Sequence, residues 1–389
     1  MPDVFVLRSK IISLLEDVCV YCFKDIFRSG RRRGLIKFFI KQFQVFRNVW
    51  YYACMTTIKD IANALEIGVS TVSMALNDNP KISQKTRDKV KAKAEEMHFV
   101  KNTSAANLRS NKTNLILLVV NDASLSFFGD QIKIIQKEVA LHGYDLLIST
   151  TFEGHDETAK KYLSEHRADG AIIQTVTLTK EQLQKYAAED FPILSLNGYT
   201  GGNLIGVRNI NQTLYENALD YLIAQGHKRF AFIKGSPYSN GTIRKYSGFM
   251  KSIQAHNISL DNYAVFDANG GHLEDGYTIT NQMIPYLNNF DVLIYSNCEI
   301  ASGGLQCLQD NYIKVPEDIS LMGIGSPLFH GNTITTYDDR VNDPAYTAKC
   351  VQLLFMKLEN KDYTSLLRQL ESEKYEIVIR DNGTVAKLN

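Results

Sequence analysis

The pattern of apolar runs from residue 115 onward constrains the fold most strongly. Residues 115–120 and 193–196 bound a first series in which short aliphatic runs alternate with helix-length segments, and residues 230–233 and 319–322 bound a second. Such alternation is typical of parallel strands joined by crossover helices. The sequence therefore predicts an α/β fold, with a bilobed body of two doubly wound parallel-sheet lobes. We expect ligands to bind in the cleft, at the carboxyl ends of the strands.

Three short helical segments precede this body. Residues 57–65 carry apolar side chains at the i, i+3, i+4 and i+7 positions of one helix face, and Thr57 can cap that helix. Residues 69–77 and 83–97 form two further segments with helical periodicity. Two short helices separated by a tight turn and closed by a third predict a helix-turn-helix headpiece. The alternative at this point is a small helical cap on an enzyme.

The second helix favours DNA binding over that alternative. Its outward positions hold Ser70, Thr71, Ser73 and Met74 rather than long charged side chains. Short side chains allow a helix to approach the floor of a DNA groove closely. The charge distribution agrees, because residues 1–114 carry 20 Lys and Arg against 10 Asp and Glu, whereas the remainder carries 23 against 32. A basic N-terminal part on an acidic body indicates that one end meets a polyanion.

Composition excludes several other classes of protein. The 389 residues are 44% hydrophobic and 22% charged, the balance of a soluble globular chain. No apolar run is long enough for a membrane span and no export signal is present, so we expect a cytoplasmic protein without a membrane partner. The six cysteines are scattered, so we expect no metal and no cofactor. No dinucleotide fingerprint or Ser/His/Asp cluster occurs, which argues against an enzyme and assigns no catalytic residue.

Several motifs, in order and at consistent spacing from about Thr56 to Arg380, resemble the LacI/GalR-type bacterial transcriptional regulators. The bodies of these regulators look like periplasmic sugar-binding proteins. The resemblance rests on Thr57-Ile58-Lys59-Asp60-Ile61-Ala62, Ser70-Thr71-Val72-Ser73-Met74-Ala75-Leu76-Asn77, Ile82 to Val90, Asn102 to Leu108, Gln225-Gly226-His227-Lys228-Arg229 and Val315-Pro316-Glu317-Asp318-Ile319-Ser320. It implies a repressor, of carbohydrate-metabolism genes, that binds operator DNA under the control of a small molecule between the lobes. The alternative, a solute-binding module without regulatory DNA function, would need an export signal and no headpiece.

The resemblance also implies a division of the chain. Residues 1–54 have no counterpart in the family, and we expect the functional chain to start at Met55; the alternative is a basic arm that uses Arg31 to Arg33 on DNA. The implied domains are a headpiece at 55–101, a hinge helix and linker at 102–113, and a body at 114–389. Lobe 1 is expected at about 114–226 and 341–371, and lobe 2 at about 227–340 and 372–389. Nine residues after Arg380 are too few for a tetramerising coiled coil, so we expect a homodimer.

DNA contacts follow from the resemblance residue by residue. It implies that Val69, Ser70 and Met74 face bases, that Thr71, Ser73, Asn77 and Ser83 hold phosphates, and that Asn102, Ala105 and Leu108 belong to a hinge helix with Leu108 as its minor-groove wedge. Met74 departs from the usual Arg, and this predicts an altered operator base because methionine offers apolar contact alone. Glu66 and Gly68 also depart from the usual Gly and Ser, which puts the turn and the helix cap in doubt.

Effector contacts are implied at Phe127, Phe128, Arg208, Asn209, Lys245, Asn297, Cys298 and Gly325. The alternative for Phe127 and Phe128 is that they are core aromatics rather than ligand contacts. The family's sugar-binding carboxylates are absent at Cys298 and Gly325, whereas a cation is retained at Lys245 beside Arg244. A cleft that loses acceptors and keeps donors predicts a sugar phosphate or another anionic metabolite over a neutral sugar. A pocket that has lost its effector is the remaining alternative.

Overall fold

The computed structural model of the protein describes residues 56–100, 112–207, 217, 219–325, 334–338, 344–373 and 378–388. The chain divides into two compact units, with the boundary after Ala106. No helix in the described ranges is long and apolar enough to cross a membrane. Some of the residues and segments singled out above lie outside these ranges: residues 1–54, Asn102, Ala105, Leu108, Arg208 and Asn209.

Three helices form the headpiece: α1 (Ile58–Leu65), α2 (Val69–Leu76) and α3 (Gln84–Glu96). Thr57 caps α1 in a reciprocal pair with Asp60, because each side chain accepts a hydrogen bond from the other residue's backbone N–H. The helices share one small apolar core, made of Ile61, Ala62, Val72, Ala75, Val90 and Ala94. The three predicted helices are therefore present, and the apolar positions that predicted them form their common core, except Val69, which is 46% exposed.

Lobe 1 is a five-stranded parallel sheet with the order β2-β1-β3-β4-β5. Its strands are β1 (Leu115–Val120), β2 (Asp145–Thr150), β3 (Gly170–Gln174), β4 (Ile193–Ser195) and β5 (Leu204–Gly206). The crossover helices are α4 (Ser126–Leu141), α5 (Glu157–Ser164) and α6 (Lys180–Tyr186). Alternate residues of β1 enter two different apolar clusters, one on each face of the sheet. Burial on both faces explains why β1 is a continuous aliphatic run in the sequence.

Lobe 2 is a six-stranded sheet with the order β11-β10-β9-β8-β6-β7, parallel except for β11. Its strands are β6 (Phe230–Lys234), β7 (Tyr263–Asp267), β8 (Val292–Tyr295), β9 (Ser320–Ile324), β10 (Thr335–Asp338) and β11 (Val378–Arg380). Its helices are α7 (Asp220–Ala224), α8 (Asn240–Ala255), α9 (Leu273–Met283) and α10 (Cys298–Asp310). Both sheets confirm the predicted fold class of two doubly wound lobes.

After lobe 2 the chain returns to lobe 1 and then leaves it again. The two last helices are α11 (Pro344–Leu358) and α12 (Thr364–Ser372). Val351, Leu354 and Leu370 from these helices are buried in the lobe 1 core with Ile116 and Leu118. Strand β11 then completes the sheet of lobe 2. Leu219 and Leu222 are buried in the lobe 2 core, so lobe 2 begins before the predicted limit at about residue 226. The other predicted domain limits stay predictions.

Candidate DNA-reading helix and interlobe cavity

Helix α2 presents one face to the headpiece core and the other to solvent. Val72 and Ala75 are buried, whereas Val69 is 46% exposed. Of the other predicted contact residues on α2, Ser70 is exposed, and Thr71, Ser73 and Met74 are half-buried. The predicted base-reading residues Val69, Ser70 and Met74 therefore have accessible surface on the side away from the core. The structure leaves their DNA contacts as a prediction.

The two ends of α2 differ in how they are capped. The turn before it passes through Glu66 in the left-handed conformation, with φ 56°, and the N-cap residue Gly68 makes no side-chain hydrogen bond. At the other end the Asn77 amide donates to the carbonyl oxygen of Ser73 at 2.8 Å. Ser83 caps α3, because its hydroxyl oxygen accepts from the N–H of Thr86 at 3.3 Å. Asn77 and Ser83 thus have structural hydrogen bonds in addition to their predicted phosphate contacts.

A cavity lies between the lobes at the carboxyl ends of the strands. Lobe 1 contributes residues that end or follow β1, β3 and β4, together with the first turn of α4. Lobe 2 contributes the first turns of α8 and α10 and the end of β9. The cavity contains six of the eight residues predicted to contact the effector: Phe127, Phe128, Lys245, Asn297, Cys298 and Gly325. This is the location expected for a ligand in a doubly wound fold.

Lys245, Cys298 and Gly325 meet on the lobe 2 side of the cavity. Lys245 is 9% exposed, and its ammonium group donates to the carbonyl oxygen of Ile324 at 2.9 Å. The Cys298 thiol donates to the carbonyl oxygen of Gly325 at 3.3 Å. Lys245 therefore lies beside Gly325, one of the two positions where the resemblance implies a carboxylate, and Gly325 in turn contacts the other position, Cys298.

The other predicted contacts have structural roles as well. Phe128 is buried in the lobe 1 core, and its ring meets that of Phe127 edge to face at 5.0 Å between centroids. Both phenylalanines also line the cavity, so packing and contact with a ligand are compatible at these positions. Asn297 caps α10, since its side-chain oxygen accepts from the N–H of Ile300 at 2.8 Å and its amide donates to the oxygen of Gly271 at 3.3 Å.

Four carboxamides that line the cavity were not predicted from the sequence. They are Asn121, Gln174, Asn197 and Asn240. The side-chain oxygens of Asn121 and Gln174 are buried and have no hydrogen-bond partner among the described residues. Buried acceptors without a partner cost free energy, which a ligand donor can recover. The sequence held a signal for two of them, because Asn121 follows β1 and Gln174 ends β3, at the edge where ligands bind.

The fold and the cavity together define a class of protein, a DNA-binding regulator with a helix-turn-helix headpiece and a ligand-binding α/β body. Two family models match the chain: bacterial regulatory proteins of the lacI family at residues 57–102, and periplasmic binding proteins and sugar binding domain of the LacI family at residues 113–327. The chain therefore belongs to the LacI family. It is a DNA-binding transcriptional repressor and not an enzyme, as the resemblance predicted.

Individual relatives agree with this assignment. The chain is 28% identical over 292 residues to the NTD biosynthesis operon regulator NtdR of Bacillus subtilis, covering 73% of this chain and 88% of that protein. It is 25% identical over 329 residues to the ribose operon repressor of Halalkalibacterium halodurans, covering 83% and 94%. The crystal structure of the Lac repressor dimer bound to operator and the anti-inducer ONPF shares the fold, with a TM-score of 0.63, 18% identity and coverage of 85% and 100%.

Proposed function

We propose that this repressor binds operator DNA as a homodimer, with α2 in the major groove and the hinge at Leu108 in the minor groove. The observation that carries the proposal is the exposed face of α2, where short side chains surround Val69 without long charged residues. The Lac repressor structure contains a dimer bound to operator, and for this chain dimeric binding is our inference. Because bacterial DNA lies in the cytoplasm, we infer that the protein acts there.

A gel shift against the DNA that flanks the protein's own gene tests this proposal. If the complex neutralises about six to ten phosphates, affinity should fall by roughly 10³–10⁵ between about 50 and 200 mM salt. Leu108→Ala should weaken binding to that DNA more than binding to random duplex of equal length, since a wedge acts on a specifically bent site. Equal losses on both duplexes would exclude the wedge role of Leu108.

We infer further that the effector is an anionic small molecule with several hydroxyl groups, and that a phosphorylated sugar fits best. Lys245 supplies a buried cation on lobe 2, and Asn121 and Gln174 supply acceptors without partners on lobe 1. A phosphate satisfies the first and sugar hydroxyls satisfy the second. Asp130 also lines the cavity and adds an acceptor for hydroxyl groups. Regulation of carbohydrate genes is supported by the sugar-binding family model and the ribose operon relative.

Thermal shift against matched pairs of sugars and their phosphates tests the effector class. The phosphate should raise the melting temperature more than the free sugar does, and Lys245→Gln should weaken phosphate binding roughly 10–100-fold, because a charged hydrogen bond contributes about 1.5–3 kcal/mol. Lys234→Gln is a matched control, since Lys234 is in the same lobe, pairs with Asp267 and does not line the cavity. If a free sugar binds Lys245→Gln as tightly as it binds the wild type, the proposal of an anionic effector is wrong. If neither the sugars nor their phosphates change the melting temperature, the pocket has lost its effector.

A further inference from the structure

A cluster of charged side chains joins the two lobes at the edge of the cavity. His272, the residue before α9 in lobe 2, lies with Nε2 3.0 Å from Oδ2 of Asp122, which follows β1 in lobe 1. Its other ring nitrogen, Nδ1, lies 3.3 Å from Oε1 of Glu299 in α10. The second oxygen of Glu299 accepts from the N–H of Ser126 in lobe 1, also at 3.3 Å. The Ser124 hydroxyl of lobe 1 lies 3.4 Å from the same Nε2, so three contacts of the cluster cross the cleft.

The charges around His272 favour its protonated form. Burial opposes a positive charge there, but the hydrogen bond and the charge of Asp122, followed by those of Glu299, outweigh burial and raise the pKa of His272 above its ordinary value of 6.5. Burial likewise opposes the charge of Asp122, yet hydrogen bonds from Ser124 and from His272 lower the pKa of that carboxyl. Asp275, on the same helix as His272, accepts from its backbone N–H at 2.9 Å.

The arrangement is suited to hydrogen bonding rather than to metal coordination. Within the described ranges, no group of three or more His, Cys, Asp or Glu side chains is placed to hold a metal ion. An imidazolium between two carboxylates donates from both nitrogens, and both donations are needed to link Asp122 to Glu299. A neutral imidazole has one donor and can maintain one of these contacts alone.

We propose that Asp122, His272 and Glu299 form a proton-dependent latch that holds the two lobes together. The latch is a second input to the protein, separate from the small molecule of the proposed function. Ser126 and Glu299 also line the cavity, so closing the latch brings together the two walls that a ligand contacts. By reciprocity, a ligand that favours the closed form raises proton affinity at His272, and protonation raises affinity for that ligand.

The direction of the pH effect follows from the pKa shifts of His272 and Asp122. The pKa of His272 is raised in the closed form, so its contribution to closure is complete below about pH 6.5 and is lost as the pH rises through the raised value. The pKa of Asp122 is lowered, so its contribution is present above its ordinary pKa of 3.8 and is lost at strongly acidic pH. Closure should therefore weaken as the pH rises above about 6.5.

A titration of the histidine side chains by NMR, on the full chain, tests the latch. His272, assigned with His272→Gln, should titrate above its ordinary value, and Asp122→Asn should lower its midpoint by about one pH unit, because the opposite charge is removed. Glu299→Gln should lower it by a smaller amount. His256, which follows α8 and lies 2.7 Å from Asp220 in α7, is an internal control because neither residue belongs to the latch.

Small-angle X-ray scattering supplies the readout of closure. The wild-type body should become more extended between about pH 6 and pH 8.5, whereas His272→Gln should be equally extended at both values. A histidine midpoint that Asp122→Asn leaves unchanged, or scattering of the wild type that does not change with pH, would overturn the latch. Neither measurement involves DNA or an effector, so the latch can fail while the proposed function stands, and the reverse.

Discussion

The ammonium nitrogen of Lys245 lies 3.1 Å from the place that a Cβ atom on Gly325 would occupy. Gly325 has φ +126°, a backbone conformation that residues with side chains rarely adopt. The family resemblance places a carboxylate at this position, and in this chain the Lys245 ammonium donates to the carbonyl oxygen of Ile324 instead. A residue with a carboxylate side chain at position 325 would require a different backbone conformation. The absence of that acceptor is therefore linked to the unusual backbone conformation of Gly325.

Replacing Gly325 by alanine should therefore destabilise the body. The added Cβ atom would be held at a strained φ and pressed against Lys245, at a cost of about 1–3 kcal/mol. Gly129→Ala is the matched control, because Gly129 is helical and open space surrounds its ideal Cβ; that change should stabilise by about 0.5–1 kcal/mol. Urea unfolding monitored by circular dichroism gives both values. Equal effects of the two substitutions would contradict the expected backbone strain at residue 325.

The headpiece should gain stability from Glu66→Gly. Glu66 ends α1 in the left-handed conformation, with φ 56°, where a side chain costs roughly 1–2 kcal/mol and glycine costs none. Glycine also increases the entropy of the unfolded chain, so the net gain should be about 0.5–1 kcal/mol. Thermal melting of the headpiece transition measures it. Glu66→Ala keeps the Cβ atom and should give no comparable gain, and a gain of the same size there would attribute the effect to charge.

Met74→Arg should change which base is preferred at one position of each operator half-site. Methionine offers apolar contact, for example to a thymine methyl, whereas arginine can pair with guanine through two hydrogen bonds. A well-formed pair of this kind discriminates by about 1–3 kcal/mol. Selection from a randomised duplex library, at one fixed salt concentration, identifies the preferred base for both proteins. An unaltered preference would remove Met74 from the base-reading residues.

Asp169→Asn should loosen the segment that leads into lobe 1. The Asp169 carboxylate accepts hydrogen bonds from the backbone N–H and the hydroxyl of Thr113, at 2.6 and 2.7 Å, and from the N–H of Asn114 at 3.1 Å. Asparagine keeps one acceptor oxygen but replaces the other with an NH2 group that cannot accept, so at least one of these bonds is lost, and we expect a loss of about 1–3 kcal/mol in the free energy of unfolding. Asp190→Asn, at an exposed position, is the control. Denaturant titration that gives the same value for both variants would contradict the role of Asp169.

Periodicity along the chain was sufficient to predict most of the elements. The apolar stripe of 57–65 and the aliphatic run of 115–120 each reflect burial of a local pattern, and local patterns are visible without a structure. Strands β5, β10 and β11 were missed because each is three or four residues long, which is too short for a clear periodic pattern. The motifs of the headpiece and body likewise predicted the family, which the family models confirm.

The sequence by itself determined the helix-turn-helix, the two α/β series and the loss of carboxylates at Cys298 and Gly325, because these are properties of residue type and spacing. Tertiary structure alone decided which residues meet across the cleft. His272 of lobe 2 contacts Asp122 of lobe 1 across 150 positions of the chain. Such contacts depend on how two separately folded sheets approach each other. That approach is set by packing between lobes and by buried polar groups, and no periodicity in the chain encodes it.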